Sequence, residues 1–222
     1  NLKKDVRKAL AHDNYTDIDM VNAHPTILSQ LFARLKVPCS VMDKYVNDRE
    51  SLLAETGMPR DDAKQAFIRL MYGGKPYDGA TPFMIDFHAE LMANATKILG
   101  LEKYHKYKDM GEIQKPTNAV GCALAYLCQD IERELVMTMI KTFKGEDYEV
   151  GTVIHDGFLV QSLDVKDEVL RSAEQAVKHL HQYDIKLEKK SLTDFDATSL
   201  WGEENDGEEA DAAGVYCRCL CV

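Results

Sequence analysis

A regular repeat of cations and apolar side chains marks the segment from Arg60 to Gly74. Residues four apart in a helix lie on one slowly drifting stripe, so this spacing predicts a stripe of two cations, an aliphatic residue and an aromatic. Two cations one turn apart can bind a polyphosphate, and an aromatic two turns further on can stack on a base. The same pattern is also typical of an ordinary solvated helix face. The four residues are Arg60, Lys64, Ile68 and Tyr72.

A second segment that could do chemistry lies upstream, at residues 15–25. Tyr15 to Met20 alternates in the manner of a strand, and the alternation places Asp17 and Asp19 on one face. Two carboxylates on one face repel each other unless a cation or a hydrogen-bond donor lies between them. Asp19 can equally start a turn or cap the following helix, which Pro25 opens.

A third segment, residues 150–161, contains two β-branched runs separated by His155-Asp156-Gly157. Asp-Gly between such runs predicts a β-hairpin, because the favoured tight turns need positive φ. Turn geometry alone would explain Asp156, whereas the turn does not require His155. Aspartates from two separate strands can together hold divalent cations for phosphoryl transfer.

In this order the three segments resemble the palm and fingers of family A DNA polymerases and of the related single-subunit, phage-type RNA polymerases. In that superfamily, motif A carries a metal-binding Asp, motif B reads Arg-x3-Lys-x7-Tyr-Gly, and motif C carries His-Asp at a hairpin tip. All three occur here, and the motif B spacing matches without a gap. The resemblance covers roughly residues Asp13 to Trp201.

The resemblance implies an enzyme that extends a nucleic-acid strand with nucleoside triphosphates. Two Mg²⁺ ions, which Mn²⁺ could replace, would be held by Asp19, Asp156 and the backbone carbonyl of Met20. Asp17 is the other motif A candidate. The remaining implied roles are triphosphate binding and catalysis by Lys64, triphosphate binding by Arg60, sugar and base contacts by Ile68 and Tyr72, sugar selection at His24, and proximity to the primer terminus for His155.

Three positions depart from the DNA polymerase pattern. His24 replaces a Glu that helps to exclude ribonucleotides, Ile68 replaces a frequent aromatic, and Gly157 replaces a common Glu. An RNA polymerase or primase-like enzyme using ribonucleotides is therefore an alternative. A catalytically silent palm that binds nucleic acid or protein is a second, and an unrelated helical domain with coincidental motifs is a third.

The resemblance and the periodicity together predict an α+β fold, with an antiparallel palm sheet bearing the His-Asp hairpin and a helical fingers subdomain. We expect a palm over residues 1–201, with the fingers at roughly 40–110 and an acidic, Cys-ending disordered tail at 202–222. The hydrophobic periodicity and the capping signals predict the elements between the motifs. These are helices at 25–36, 40–55, 59–72, 82–99, 117–143 and 164–182, and a final strand at 183–190.

Composition sets the remaining expectations. The 222 residues are 45% hydrophobic, which is enough for one sizeable core. A net charge of −10 argues against a nucleic-acid enzyme, although the stretch Gly202–Asp211 alone carries six acidic and no basic side chains. No signal peptide or membrane span is evident, and the six cysteines form no disulfide framework, which favours an intracellular protein. Because the first residue is Asn, we expect further upstream domains in the same polypeptide.

Overall fold

The computed structural model describes residues 4–190 and 192–193 of the chain. They form an α+β fold with an antiparallel sheet, as predicted, and they divide into two compact units. The sheet unit comprises the described residues up to Ala23 and those from Ile131 onward, and the helical unit is His24–Asp130. In chain order, the elements are α1 (Lys4–Ala11), β1 (Thr16–Met20), α2 (Ala23–Arg34), α3 (Ser40–Asn47), α4 (Arg49–Ala54), α5 (Arg60–Met71), α6 (Pro82–Leu99), α7 (His105–Gln114), α8 (Ala119–Gly145), β2 (Val150–Ile154), β3 (Gly157–Val160), α9 (Asp167–His181) and β4 (Leu187–Lys190).

The sheet has the strand order β2-β3-β1-β4, and every neighbouring pair is antiparallel. β1 is one of the two inner strands, and it pairs with β3 on one side and with β4 on the other. The register places Asp19 opposite Gly157 of β3 and opposite Glu188 of β4. Directly opposite residues share a face of an antiparallel sheet, so the register decides which side chains meet.

One face of the sheet is apolar and covered by helices. Ile18 and Phe158, which lie opposite each other in neighbouring strands, are fully buried there. The Phe143 ring of α8 meets the Phe158 ring edge to face, with centroids 5.1 Å apart. Helix α9 is tied to this layer through Glu174, whose carboxylate accepts a hydrogen bond from the Leu187 backbone at 2.9 Å. The other face carries a smaller apolar cluster beside the polar residues described below. That cluster consists of Ala11, Leu159 and Leu192, with Tyr15 and Ile154 packed against it.

The helical unit is built around a cluster of aromatic rings in mutual contact. Phe67 of α5 packs against Tyr45 of α3, at 4.7 Å between centroids, and against Phe87 of α6, at 5.4 Å, and the centroids of Tyr45 and Phe87 are 5.3 Å apart. All three residues are buried, so these rings form the core that fixes α5 against its neighbours. Helix α6 begins as its sequence predicts, with the Thr81 side chain accepting a hydrogen bond from the Met84 backbone and Pro82 in the first turn.

Several predicted boundaries differ from the observed ones. The helix expected at 40–55 is two helices, because Asp48 leaves the helical region at φ −119° and ψ 26°. The expected strand at 183–190 starts only at Leu187. The hairpin is confirmed, but its loop residues are His155 and Asp156 rather than Asp156 and Gly157. His155 takes the positive φ, at 50°, and Gly157 is the first residue of β3.

Among the described residues, Cys39, Cys122 and Cys128 are thiols that form no disulfide; Cys39 and Cys128 are buried and Cys122 is half-buried. Burial raises the pKa of the Cys39 thiol to about 11. The predicted tail at 202–222, with its three cysteines, and Trp201 lie outside the described residues. Within the described part of the chain, no helix combines the length and the apolar character needed to cross a membrane.

Candidate functional site

Three aspartates of the sheet unit lie near one another and form what we call the acidic cluster, defined as Asp17, Asp19 and Asp156. Asp19 is opposite Gly157 in the register, and Asp156 immediately precedes that glycine. A Cβ atom at Gly157 would lie 2.8 Å from Asp19 Oδ1 and 2.3 Å from the Ile18 carbonyl oxygen. The missing side chain therefore makes the space in which the Asp19 carboxylate lies beside the hairpin.

The hairpin loop is also hydrogen-bonded to the end of β1. The Met20 N–H donates to the Asp156 carbonyl oxygen at 3.2 Å, which fixes Asp156 next to the Asp19–Met20 peptide. His155, at the tip of the loop, is exposed. The structure thus brings Asp19 and Met20, from one of the sequence segments, together with Asp156 from another.

The Asp19 carboxylate has a basic partner that sequence analysis did not identify. Lys190, on the edge strand β4, forms an ion pair through its Nζ with Asp19 Oδ2. Only 12% of the Asp19 side chain is exposed, against 46% for Lys190, so the pair joins a largely buried anion to a half-exposed cation. Glu188 Oε1 lies 3.7 Å from the same ammonium group. Alternation along the predicted strand 183–190 places Glu188 and Lys190 on one face of that strand. Only the pairing of this strand with β1 shows that the face is the one that carries Asp17 and Asp19.

Asp17 shows the electrostatic character of this face. Burial raises the pKa of Asp17 above its usual value, and the Asp156 carboxylate adds to that rise. Lys190, Arg7 and Lys8 favour the ionised form and oppose the shift. The acidic cluster is therefore a place where desolvation and like charge raise the free energy of a carboxylate, and an added cation would lower it.

The cationic stripe lies in the helical unit, on α5. Arg60 is exposed and forms a two-pronged ion pair with Glu50 of α4, at 2.7 and 2.8 Å. Hydrogen bonding to Arg60 lowers the pKa of Glu50, as expected for a carboxylate held by a guanidinium. Lys64 and Ile68 follow on the same stripe and are half-buried. Arg60 is thus engaged within its own unit, an arrangement that the four-residue spacing did not predict.

Tyr72 ends the stripe and is almost fully buried, at 3% exposure. Its hydroxyl forms a hydrogen bond with His24 Nδ1, and its carbonyl accepts one from Asn118 Nδ2 at 2.8 Å. A Cβ atom at Gly121 would come within 2.1 Å of that carbonyl oxygen, so the start of α8 lies directly against the end of α5. Two predicted site residues, His24 and Tyr72, therefore contact each other, and Asn118 and Gly121 hold Tyr72 in place. Sequence analysis gave no signal for these last two.

The residues present can be tested for their fit to the Mg²⁺ that the resemblance implies. Among residues 4–190 and 192–193, no group of three His, Cys, Asp or Glu side chains could hold a metal ion. Mg²⁺ is usually bound through only one or two carboxylates, with phosphates and water completing its shell. Asp19 and Asp156 supply such oxygen ligands, and the Lys190 ammonium already marks a position for positive charge beside Asp19. The two carboxylates are therefore ligands of the chemical type that Mg²⁺ uses in proteins.

Comparisons with known proteins give one informative similarity. No protein-family model matches the chain, and no solved structure matches it. A relative from Sputnik virophage, named "Putative helicase V13", is 30% identical over 210 residues, which cover 86% of this chain. The chain spans 27% of that relative's length.

This similarity contradicts the prediction that the chain is a template-directed nucleotidyltransferase of the DNA polymerase type, because the relative carries the name of a helicase. The prediction was wrong for a physical reason. Paired aspartates on neighbouring strands and spaced cations on a helix suit phosphate groups and their metal ions, and these ligands are common to many reactions. Such residues indicate that phosphate is bound, but they do not identify the reaction that the phosphate compound undergoes.

Proposed function

We propose that this chain is one domain of a helicase-type enzyme, and that its acidic cluster binds Mg²⁺ and, through the ion, phosphate groups of nucleic acid or of a nucleoside triphosphate. The observation that carries the proposal is the Asp19 carboxylate, which lies in the space left by Gly157 and beside Asp156. Asp19 and Asp156 would be the side-chain ligands, and the Met20 carbonyl is a further candidate. When bound, the ion would supply positive charge that holds phosphate oxygens.

The similarity to a helicase-named protein supports the nucleic-acid part of the proposal. Helicases act on nucleic acid and use nucleoside triphosphates, so both sources of phosphate are relevant. In this chain the candidate phosphate-binding groups are aspartates and the α5 cations, rather than the glycine-rich loop of a P-loop enzyme. We therefore propose that the domain contributes metal-dependent binding to a larger protein.

The helical unit offers a second candidate contact for phosphate. Lys64 is half-buried on α5, one turn beyond Arg60, and a lysine acts on phosphate as a point charge. We propose that Lys64 binds nucleotide phosphate, with Ile68 and Tyr72 further along the same stripe. Because Tyr72 is almost fully buried, we propose that its hydrogen bond with His24 fixes the end of α5 behind the Lys64 contact, rather than presenting the ring to a sugar or base. The palm-like character of the sheet unit and the presence of a second ion are further proposals that the resemblance implies.

The first test measures Mn²⁺ binding by electron paramagnetic resonance, with Mn²⁺ standing in for Mg²⁺. Wild-type protein should bind the ion, and Asp19→Asn and Asp156→Asn should each weaken binding about tenfold or more, because each removes a charged ligand. Asp147→Asn is the matched control, since Asp147 is an exposed aspartate of the same unit and asparagine tolerates its positive φ. Equal Mn²⁺ binding by wild type and both cluster variants would contradict the proposal.

The second test separates the two sources of phosphate. Fluorescence anisotropy would follow a labelled single-stranded oligonucleotide, and calorimetry would follow dGTP and GTP, each with Mg²⁺ and with a chelator. Binding that requires the metal and is lost in Asp156→Asn supports the acidic cluster as the phosphate site for that ligand. Lys64→Ala should weaken dGTP or GTP binding without changing Mn²⁺ affinity, because Lys64 belongs to the other unit. Metal-independent binding of all three ligands would overturn the proposed role of the cluster.

A further inference from the structure

We propose that Lys190 is an exchangeable counter-cation, which neutralises Asp19 in the metal-free protein and gives way when a divalent ion binds. This inference rests on the proposed function, because it concerns the same acidic cluster. It assigns a role to a residue outside the three polymerase-like segments.

The position of Lys190 follows from the strand register. Asp17 lies opposite Lys190, and Asp19 lies opposite Glu188, so all four side chains belong to one face of the sheet. From its position opposite Asp17, Lys190 reaches diagonally to the Asp19 carboxylate. It therefore places a single positive charge on the carboxylate that a metal ion would use.

The ion pair meets an electrostatic need of the metal-free protein. Asp19 is buried to 9% exposure, and an uncompensated carboxylate at such a position is costly. Lys190 also lies opposite Asp17 in the strand register, so a single ammonium group serves the face that carries both Asp17 and Asp19. A divalent cation would meet the same need with twice the charge.

A metal ion can replace the Lys190 ammonium because the Lys190 side chain is half-exposed, whereas the Asp19 side chain is largely buried. Its side chain is 46% exposed and sits on a long flexible stem, so the ammonium group can move toward solvent while Asp19 stays in place. Glu188 Oε1, 3.7 Å from the ammonium, provides a carboxylate on the same strand with which Lys190 can pair after leaving Asp19. Lys190 and a metal ion therefore compete for one carboxylate.

The experiment compares Mn²⁺ affinity in wild type, Lys190→Met and Lys189→Met. Methionine keeps an unbranched stem but removes the charge. Lys189 is the matched control because it is the preceding residue, on the opposite face, where it pairs with Asp167 at 2.6 Å. We expect Lys190→Met to bind Mn²⁺ at least about threefold more tightly than wild type does, because the ion no longer competes with the half-exposed Lys190 ammonium for Asp19. Lys189→Met should bind Mn²⁺ as wild type does.

Thermal unfolding gives a second readout that does not depend on activity. Without metal, Lys190→Met should melt at a lower temperature than wild type, because Asp19 loses its counter-ion. Saturating Mn²⁺ should raise its melting temperature by more than it raises that of wild type. Equal rises in the two proteins would overturn the proposal.

The outcomes separate this inference from the proposed function. If wild type binds Mn²⁺ through Asp19 but Lys190→Met binds it equally or more weakly, the inference fails and the proposed function stands. If only Lys190→Met binds Mn²⁺, and does so through Asp19, then Lys190 blocks the ion instead of giving way to it, and both the exchange and the proposed function of the natural protein are overturned. If neither protein binds the ion, both proposals are overturned.

Discussion

The acidic cluster of the sheet unit and the cationic stripe of α5 place their residues by different means. Asp19 and Asp156 are more than a hundred positions apart in sequence, and the register of β1 against β3 brings them together. The stripe arises within one helix, from a spacing of four residues. Strand pairing thus brought two candidate ligands, Asp19 and Asp156, close together as the resemblance implied. Helical periodicity correctly aligned Arg60 with Lys64, but it gave no sign that Arg60 pairs with Glu50.

The two regions also use their charges differently. In the sheet unit, the pKa of Asp17 rises as a result of burial and of the neighbouring Asp156, even though Lys190, Arg7 and Lys8 oppose the rise. On α5, Arg60 already has a carboxylate partner in Glu50, and both side chains are exposed. An added cation would therefore be stabilised by the acidic cluster, whereas a phosphate reaching Arg60 would compete with Glu50.

The largest expected effect comes from adding a side chain at Gly157, where β3 lies directly against β1. Gly157→Ala should lower the free energy of unfolding by about 3 kcal/mol, because the new Cβ would meet the Ile18 carbonyl oxygen at 2.3 Å and Asp19 Oδ1 at 2.8 Å. Urea denaturation measures the change. Gly145→Ala is the control, since a Cβ there meets nothing within 4 Å. A decrease of less than about 1 kcal/mol in the free energy of unfolding would mean that β3 can move away from β1 at little cost. The close contact at Gly157 would then not be what holds Asp19 beside Asp156.

The matching test in the helical unit is Asn118→Ala. Loss of the hydrogen bond to the Tyr72 carbonyl should destabilise the protein by about 1 kcal/mol, because the carbonyl belongs to a buried residue. It should also weaken dGTP binding if the fixed position of Tyr72 matters for the proposed contact. Denaturation and calorimetry measure the two effects separately. Unchanged stability would mean that Asn118 does not hold the end of α5.

Asp17→Asn tests the electrostatic difference between the regions. Because the folded-state pKa of Asp17 is raised, the folded protein binds the proton more readily than the unfolded chain, and stability falls as pH rises through the folded-state pKa. At pH 7 the substitution should therefore stabilise the protein, by less than about 1 kcal/mol because solvent screens a half-buried group. Below the usual pKa of 3.8 the gain should vanish. Urea denaturation at several pH values between about 3 and 7 checks the sign of the effect, because Asp17 changes from protonated to ionised within this range.

The smallest effect is expected at the exposed end of α5. Glu50→Gln should change stability by only about 0.5 kcal/mol, since exposed ion pairs contribute little. It should nevertheless free Arg60, and dGTP affinity should rise about twofold if Arg60 contacts phosphate. Calorimetry at low salt would detect the rise. An unchanged affinity would remove Arg60 from the candidate contacts and leave Lys64.

Much of the fold could be predicted from sequence because its signals are local. Thr81-Pro82 predicted the start of α6, and β-branched runs predicted the hairpin of β2 and β3. Lys190 could not be assigned to Asp19 from sequence, because the contact depends on which strand pairs with β1 and in what register. Asn118 was missed for a similar reason, since it meets Tyr72 from a position 46 residues away. The reaction could not be predicted because phosphate-binding residues serve many enzymes.

The order of the two units along the chain has a consequence for folding during synthesis. The helical unit is one continuous segment, His24–Asp130, rich in contacts between neighbouring helices, so it can form soon after it leaves the ribosome. Strand β1 is made before that segment, but its partners β3 and β4 are made after it. The strand that carries Asp17 and Asp19 must therefore wait, unpaired, until nearly all of the described chain has been synthesised. Charged side chains on a strand disfavour pairing with other chains, and two of the five residues of this strand are aspartates.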